Sequence, residues 1–418
     1  MALSSVLTAP QRLAFRHNRI FVRAVPGMAE QLIHGPYIEV PEGQYSVYWR
    51  VELTGQPGFL RQGRALLRLD VTSDYGKTLL QERTFTASDI KAAGGAVRID
   101  FNIPKHGAQN VEFRAYSFGH IEFLLDVKRE VHDAKGNIFF LDPDLFEVSA
   151  AGDIGCSGMQ FIRENLAEIS LLQRRGARVA IDGNDVRACF GGIEVFLSNK
   201  EDFEIFEEVF FANTYGVEIS RGLSVVDIGM NGGFAALSFA ALHQVVEVHA
   251  YEPFELPFSR AIRNFALNPG IRAKISPHKF GLSDMNFSRK VGYDPHHTKG
   301  TSIRGTASEH EVTIELREAA PVLRPIIESA RARGLTFLLK LDCEGSEFPI
   351  FASLEKANLL EKIDIILMEW HKWWDASKTR RDLIEPLLAK GFLVLDRTRN
   401  HEKYSGFIIA VRLAQAPG

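Results

Sequence analysis

The stretch SVVDIGMNGGFAALSFA, Ser224 to Ala240, sets three glycines and an asparagine between an apolar run and a run rich in Ala, Leu and Phe. So little side chain at one point marks a backbone that bends sharply out of a strand, or one that another group must approach closely. The pattern is Asp227-x-Gly229-x-Asn231-x-Gly233. It is not a nicotinamide-dinucleotide fingerprint, because the second and third glycines of that motif would fall on Asn231 and Phe234. The Gly-Lys-Ser/Thr ending of a phosphate-cradling loop is absent as well.

Downstream of this turn strands and helices alternate. SVVDIG, VEVHAYEP, AKISPHKFGLS, FLLKLDCEG and DIILMEWH read as near-continuous apolar strands with helical segments between them. FLVLDRT and SGFIIAVR are closely spaced and read as an antiparallel edge pair. The predicted fold is therefore α/β, with a mostly parallel sheet covered on both faces. Such sheets bind ligands beyond the carboxyl ends of their strands.

Upstream the rhythm changes. In YSVYWRVEL, residues Tyr45, Val47, Trp49, Val51 and Leu53 alternate with Tyr48, Arg50 and Glu52, and ALLRLDV, VEFRAY and IEFLLDV repeat the period of two. Several short amphipathic strands with turn signals between them predict an all-β antiparallel sandwich. The expected organisation is a lead-in over 1–18, the sandwich over 19–131, a linker with one helix over 132–176, and the α/β domain over 177–418.

Composition sets the remaining bounds. The chain has 418 residues, 45% of them hydrophobic and 24% charged, which suits a globular protein of two or three domains. A formal net charge of -3 gives no reason to expect a nucleic-acid partner. No apolar run is long enough to span a membrane; GFAALSFAALHQVVEV is interrupted by His243 and Gln244. Cys156, Cys189 and Cys343 are odd in number and far apart, which fits a reducing compartment, and a cytoplasmic location is expected. Arg12, Arg16, Arg19 and Arg23 precede any acidic residue, a bias shared with organelle transit peptides; a basic lead-in to the first strand is the simpler reading.

The cofactor reading starts from the turn and from Glu252, which ends the second strand in AYEP. A carboxylate there can accept two hydrogen bonds from a ribose diol. The glycine turn at Gly229 and Gly233 lets backbone amides approach an amino-acid-like tail rather than a pyrophosphate. Together they fit S-adenosylmethionine. Ser283 and Asp284 are expected at the tip of the third strand as acceptors for an adenine amino group. Asp227 is read as an organiser of the turn, and Asn231 as a contact to the cofactor tail or, more economically, a helix cap. Asp342, Glu344 and Glu347 surround Gly345 after the fourth strand, and Glu369 and His371 end the fifth. Acidic and histidine side chains thus recur along one edge of the sheet.

These segments, VVDIGMNGGF, AYEPF, FGLSD, GTSI, KLDCEGSEFPIF and MEWH, occur in an order that resembles the FkbM family of S-adenosylmethionine-dependent methyltransferases, over roughly Glu201 to Arg412. Gly232 and Met230 depart from the family pattern, the first where an apolar residue is more usual and the second in place of a small one. The resemblance implies a class I, Rossmann-like sheet of seven strands with the last antiparallel, in agreement with the edge pair.

A hydroxyl acceptor needs a base or a metal. His371 is the first candidate base, since imidazole titrates near neutral pH; a strand-end cap is the competing account. Asp342, Glu344 and Glu369 are hard oxygen donors that suit magnesium, or they orient the acceptor without a metal. His296, His297 and Thr298 lie in a polar segment that is a lid or a plain loop, and Trp370, Trp373 and Trp374 wall an acceptor pocket or pack in the core. The front domain resembles carbohydrate-binding sandwiches, with a structural or oligomerising role as the alternative. The expected activity is O-methylation of a glycan or another hydroxylated metabolite. The competing readings are amino-group methylation, disfavoured because the fourth strand ends in DCEG rather than an Asn/Asp-Pro-Pro-aromatic turn, and a non-catalytic scaffold.

Overall fold

The structure, a computed structural model, describes residues 13–16, 19–54, 63–141, 147–148, 160–162, 164–182, 185–292, 311–372, 377–398 and 404–412. His296, His297, Thr298, the GTSI segment, Trp373, Trp374 and Cys156 lie outside them. The chain divides into two compact units, Met1–Ala188 and Cys189–Gly418.

Within the first unit, the paired strands between Leu13 and Leu141 run antiparallel to one another. Gly43–Leu53 pairs with Ala96–Ile103, Phe123–Asp126 and Glu130–Asp133 in one sheet. In the other, Ala108–Ser117 pairs with Glu30–Ile33, Pro36–Val40 and Ala65–Ser73, and the last of these pairs with Thr78–Thr86. The two-residue period of the sequence is visible in the burial of Tyr45, Val47, Trp49 and Val51 and in the exposure of Arg50. Phe101 from one sheet meets Phe113 from the other, with ring centroids 5.7 Å apart. Asp70 breaks the alternation. It faces away from Leu69 and Val71 yet is only 1% exposed, because Arg114 grips it with Nε and Nη2 at 2.7 and 3.3 Å.

In the second unit seven strands form one sheet. They are β1 (Leu223–Ile228), β2 (Val245–Tyr251), β3 (Ile275–His278), β4 (Thr336–Leu341), β5 (Ile365–His371), β6 (Phe392–Asp396) and β7 (Ser405–Arg412). The order across the sheet is β3-β2-β1-β4-β5-β7-β6. Neighbours from β3 to β5 are parallel, while β7 runs antiparallel to both β5 and β6. Connecting helices are α1 (Phe234–Ala241), α2 (Glu255–Ala266), α3 (Ala319–Ala332), α4 (Glu347–Lys356) and α5 (Arg381–Ala389). Leu323 and Ile327 of α3, Ile350 and Leu354 of α4, and Leu383 and Leu387 of α5 share one buried cluster with Val226, Leu339, Ile366 and Ile408 of the sheet. Each such side chain contributes about 1.5–3 kcal/mol by leaving water. The strand order reverses between β1 and β4, which places a crevice beyond their carboxyl ends.

One expected strand is shorter than its sequence suggested. AKISPHKFGLS does not run as a single strand: β3 stops at His278, and Gly281–Ser283 leaves the sheet to pair in parallel with Leu316–Glu318. A side chain at Gly281 would press on Leu316 and Pro253, which favours glycine where the chain crosses. Ser283 and Asp284 are therefore not at the tip of a central strand. Among the described residues no helix is long and apolar enough to cross a membrane.

Candidate active site

The turn after β1 is shaped by what stands against it. Gly229 has φ +85°, and a Cβ there would lie 1.7 Å from the carbonyl oxygen of Asp342. Gly233 has φ +81°, with no room for a Cβ beside the Phe265 ring and Ala261. Both needs, left-handed backbone and close approach, exclude other residues. The amides of Gly229 and Met230 donate to the carbonyl of Tyr251, at 3.1 and 2.9 Å, which ties the turn to the end of β2.

Asn231 also has a left-handed backbone, φ +47°, and this aims its N–H at Glu252 Oε2, 2.9 Å away. The capping account of Asn231 is corrected by this geometry: α1 is capped by Gly233 and receives no side-chain hydrogen bond. Glu252 Oε1 accepts from the N–H of Phe254 at 3.0 Å. Burial pushes the Glu252 carboxyl up to about 7, against the pull of its two backbone donors and of Lys340. The carboxylate thus touches the bend, and each oxygen keeps a lone pair for a further donor.

Across the crevice, β4 delivers Lys340 and the loop after it delivers Asp342, Glu344 and Ser346. Register sets Lys340 beside Asp227, and its Nζ lies 3.0 Å from Asp227 Oδ1, donates to Gly229 O at 2.9 Å, and lies 3.6 Å from Asp342 Oδ2. Burial alone would lower the pKa of this ammonium, but Asp227 and Asp342 raise it above its ordinary range. Asp227 is fully buried and its carboxyl is pushed up by that burial, with Lys340 acting in the opposite direction. It stands behind the turn, outside the crevice lining. Tyr215 donates from its hydroxyl to Asp342 Oδ2 at 3.0 Å.

His371 ends β5 among carboxylates. Its Nδ1 lies 3.1 Å from Glu347 Oε1, and its Nε2 lies 3.7 Å from both Glu344 Oε2 and Glu369 Oε1. Glu347 Oε1 is itself fixed by the N–H of Cys343 at 2.9 Å. Burial opposes a charged imidazole, but Glu347, Glu369 and Glu344 overcome it and raise the pKa to about 11. A raised pKa disfavours the neutral imidazole that a general base needs, and His371 is not among the residues that line the crevice. Glu344, held at φ +50°, is pushed up to about 7, first by burial, against the pull of His371, and further by Asp342, Glu347 and Glu369.

The crevice brings Gly229, Asn231, Glu252, Asp342, Glu344 and Glu369 together. Tyr251, Phe254, Leu282 and Leu316 form an apolar wall beside Glu252, while Ile205, Glu208, Val209 and Tyr215 line it from the segment before β1. Ser283 is buried and donates to Asp284 Oδ1 at 3.2 Å; Asp284 is exposed, and neither lines the crevice. Trp370 is buried in the core cluster, which answers the core-packing alternative for that residue. Sequence reasoning missed Lys340 and Tyr215. Lysine inside the apolar strand TFLLKL was the available signal, because a buried ammonium needs partners. Tyr215 carried none, since its partner Asp342 is remote in sequence.

Residues 227–394 match the family described as methyltransferase FkbM domain. The matched segment lies within the second unit and is similar to the FkbM methyltransferase domain. The chain is an S-adenosylmethionine-dependent methyltransferase. A curated relative, 31-O-demethyl-FK506 methyltransferase FkbM of Streptomyces tacrolimicus, is 25% identical over 219 residues, covering 46% of this chain and 82% of that one. Among solved structures, methyltransferase FkbM from Methylobacillus flagellatus KT matches at 13% identity and a TM-score of 0.33, over 62% of this chain and 63% of that one. TrmK of M. capricolum, solved with S-adenosylhomocysteine, matches at 10% identity and a TM-score of 0.28, over 48% of this chain and 66% of that one. This chain therefore spans just under two thirds of either structure's length.

Proposed function

We propose that the enzyme methylates a hydroxyl oxygen of a sugar, a glycan or a glycosylated metabolite. The observation that carries this reading is the set of carboxylates, Asp342, Glu344 and Glu369, that lines the crevice together with the glycine turn. Carboxylates are the groups that accept a hydroxyl proton or orient a polyol by hydrogen bonds.

The residues present fit the cofactor. Glu252 keeps acceptor capacity at the apolar wall, and the buried Ser346 hydroxyl in the crevice has no hydrogen-bond partner among the described residues. The turn from Gly229 to Gly233 would hold the amino-acid end, Glu252 the ribose, and Tyr251, Leu282 and Leu316 the adenine. S-adenosylmethionine, when bound, supplies a methyl group on a cationic sulfur. This chain's own residues align the acceptor, exclude water and remove its proton. Glu344 is suited to that last task, since its carboxyl sits near neutral pH and lines the crevice. The imidazolium of His371 keeps the crowded carboxylates from repelling one another.

A divalent cation such as magnesium is the second route to an activated hydroxyl. Asp342, Glu344 and His371 offer ligand atoms within 4.8 Å of one another. His371 would then have to be neutral, so the two routes are mutually exclusive at this ring.

The first unit is proposed as a glycan-recognition module. What supports this is Tyr75, 68% exposed, whose ring centroid lies 5.8 Å from that of Tyr37, with Glu112 and Arg114 against the neighbouring Gly76. Exposed aromatic faces next to planar polar groups suit sugar rings.

The test is incubation of extracts with donor carrying a labelled methyl group, with and without the enzyme, and with EDTA in a parallel arm. Label recovered as O-methyl sugar after acid hydrolysis supports the reading. Label in nucleic acid or protein overturns it, and loss of labelling with EDTA selects the cation route.

A further inference from the structure

We infer that Lys340 is a positioning residue that locks the cofactor turn and the Asp342 carboxylate into one geometry. This goes beyond the family match and does not depend on which acceptor the enzyme uses.

An ammonium group that is 2% exposed is costly to bury and persists only when its partners compensate. Neutralising Asp227 would by itself account for one such partner. The remaining contacts are different in kind, because they belong to groups that line the crevice. Nζ donates to the Gly229 carbonyl at 2.9 Å and lies 3.6 Å from Asp342 Oδ2. Gly229 and Asp342 are already so close that no side chain fits between them. The ammonium therefore sits at the point where the β1 turn and the β4 loop meet, and it sets their spacing.

Tyr215 adds a second grip. Its hydroxyl holds Asp342 Oδ2 at 3.0 Å, and its ring centroid is 5.3 Å from Lys340 Nζ. With Oδ2 held by both, Asp342 Oδ1 receives no hydrogen bond among the described residues. That oxygen is the one left for a ligand. Lys340 acts through Gly229 and Asp342 and has no need to touch substrate itself.

The experiment measures S-adenosylhomocysteine binding by calorimetry and melting temperature on the full chain. Lys340→Met strands Asp227 as an unpaired buried anion, so both stability and affinity should fall, the affinity by about tenfold or more. The double variant Lys340→Met with Asp227→Asn removes that stranded charge. It should recover most of the lost melting temperature while its affinity stays about tenfold weak. Affinity that returns together with stability would reduce Lys340 to a neutraliser of Asp227 and overturn the inference. Should neither Lys340 variant fold, Tyr215→Phe tests the shared grip on Asp342 Oδ2. An affinity loss of about threefold at an unchanged melting temperature supports the inference; unchanged affinity overturns it.

Discussion

At the β1–β2 wall the crevice is bounded by a tight left-handed turn and a carboxylate fixed by two backbone amides. The β4–β5 wall is made of carboxylates arranged around the His371 imidazole and the Lys340 ammonium. Gly229, Asn231 and Gly233 adopt left-handed backbones that glycine and, less readily, asparagine tolerate. Their chemistry is set by shape and hardly changes with pH. Asp342, Glu347 and Glu369 crowd around Glu344 and His371, whose raised pKa values make the chemistry of this wall depend on pH. The first wall suits a cofactor that is the same in every turnover. The second suits an acceptor that must lose a proton.

The sharpest way to break this contrast is Gly229→Ala. Its Cβ would lie 1.7 Å from a backbone oxygen that cannot swing aside. Urea denaturation should show a loss of roughly 3 kcal/mol or more, and calorimetry should show no binding of S-adenosylhomocysteine. A variant that folds and binds normally would mean that shape does not rule that wall.

Glu252 is the one place on the first wall where charge should be felt. Its pKa of about 7 makes it partly protonated at neutral pH, and a ribose diol donates best to the ionised form. Affinity for S-adenosylhomocysteine should therefore rise between pH 6 and 8, by about threefold to tenfold. Glu252→Gln should weaken binding about tenfold and flatten that pH dependence.

On the second wall the expected effect is on stability against pH. His371 has a folded-state pKa of about 11 against an ordinary 6.5, so the folded protein holds its proton more tightly than the unfolded chain. Its contribution is complete below pH 6.5 and is lost as pH rises through about 11. The slope is at most roughly 1.4 kcal/mol per pH unit, and urea midpoints at pH 7, 8 and 9 should decline accordingly. In His371→Gln the decline over this range should be shallower. An equal slope in both proteins would show that the imidazole is not charged, as the cation route requires.

The smallest effect is expected at Asp284. It is exposed and lies off the crevice, so Asp284→Ala should change S-adenosylhomocysteine affinity by less than about twofold. A large loss would return the adenine to the end of the Gly281–Ser283 strand.

The sequence by itself determined the local features. A glycine turn after SVVDIG, an acid ending the next strand and an acidic loop after FLLKLD were legible because each lies within a few residues of chain. So was the change from a two-residue rhythm to alternating strands and helices, since periodicity reports which face is buried. Only the tertiary structure decided what depends on residues far apart in the chain. It showed Gly229 bare because Asp342 O stands against it, Asn231 turned toward Glu252 instead of capping α1, and AKISPHKFGLS divided between two sheets. It also surrounded His371 with three carboxylates from two segments, which raises the pKa of a base that would otherwise titrate near neutral. A pKa, a steric limit and a buried ion pair are properties of neighbours, and folding chooses the neighbours.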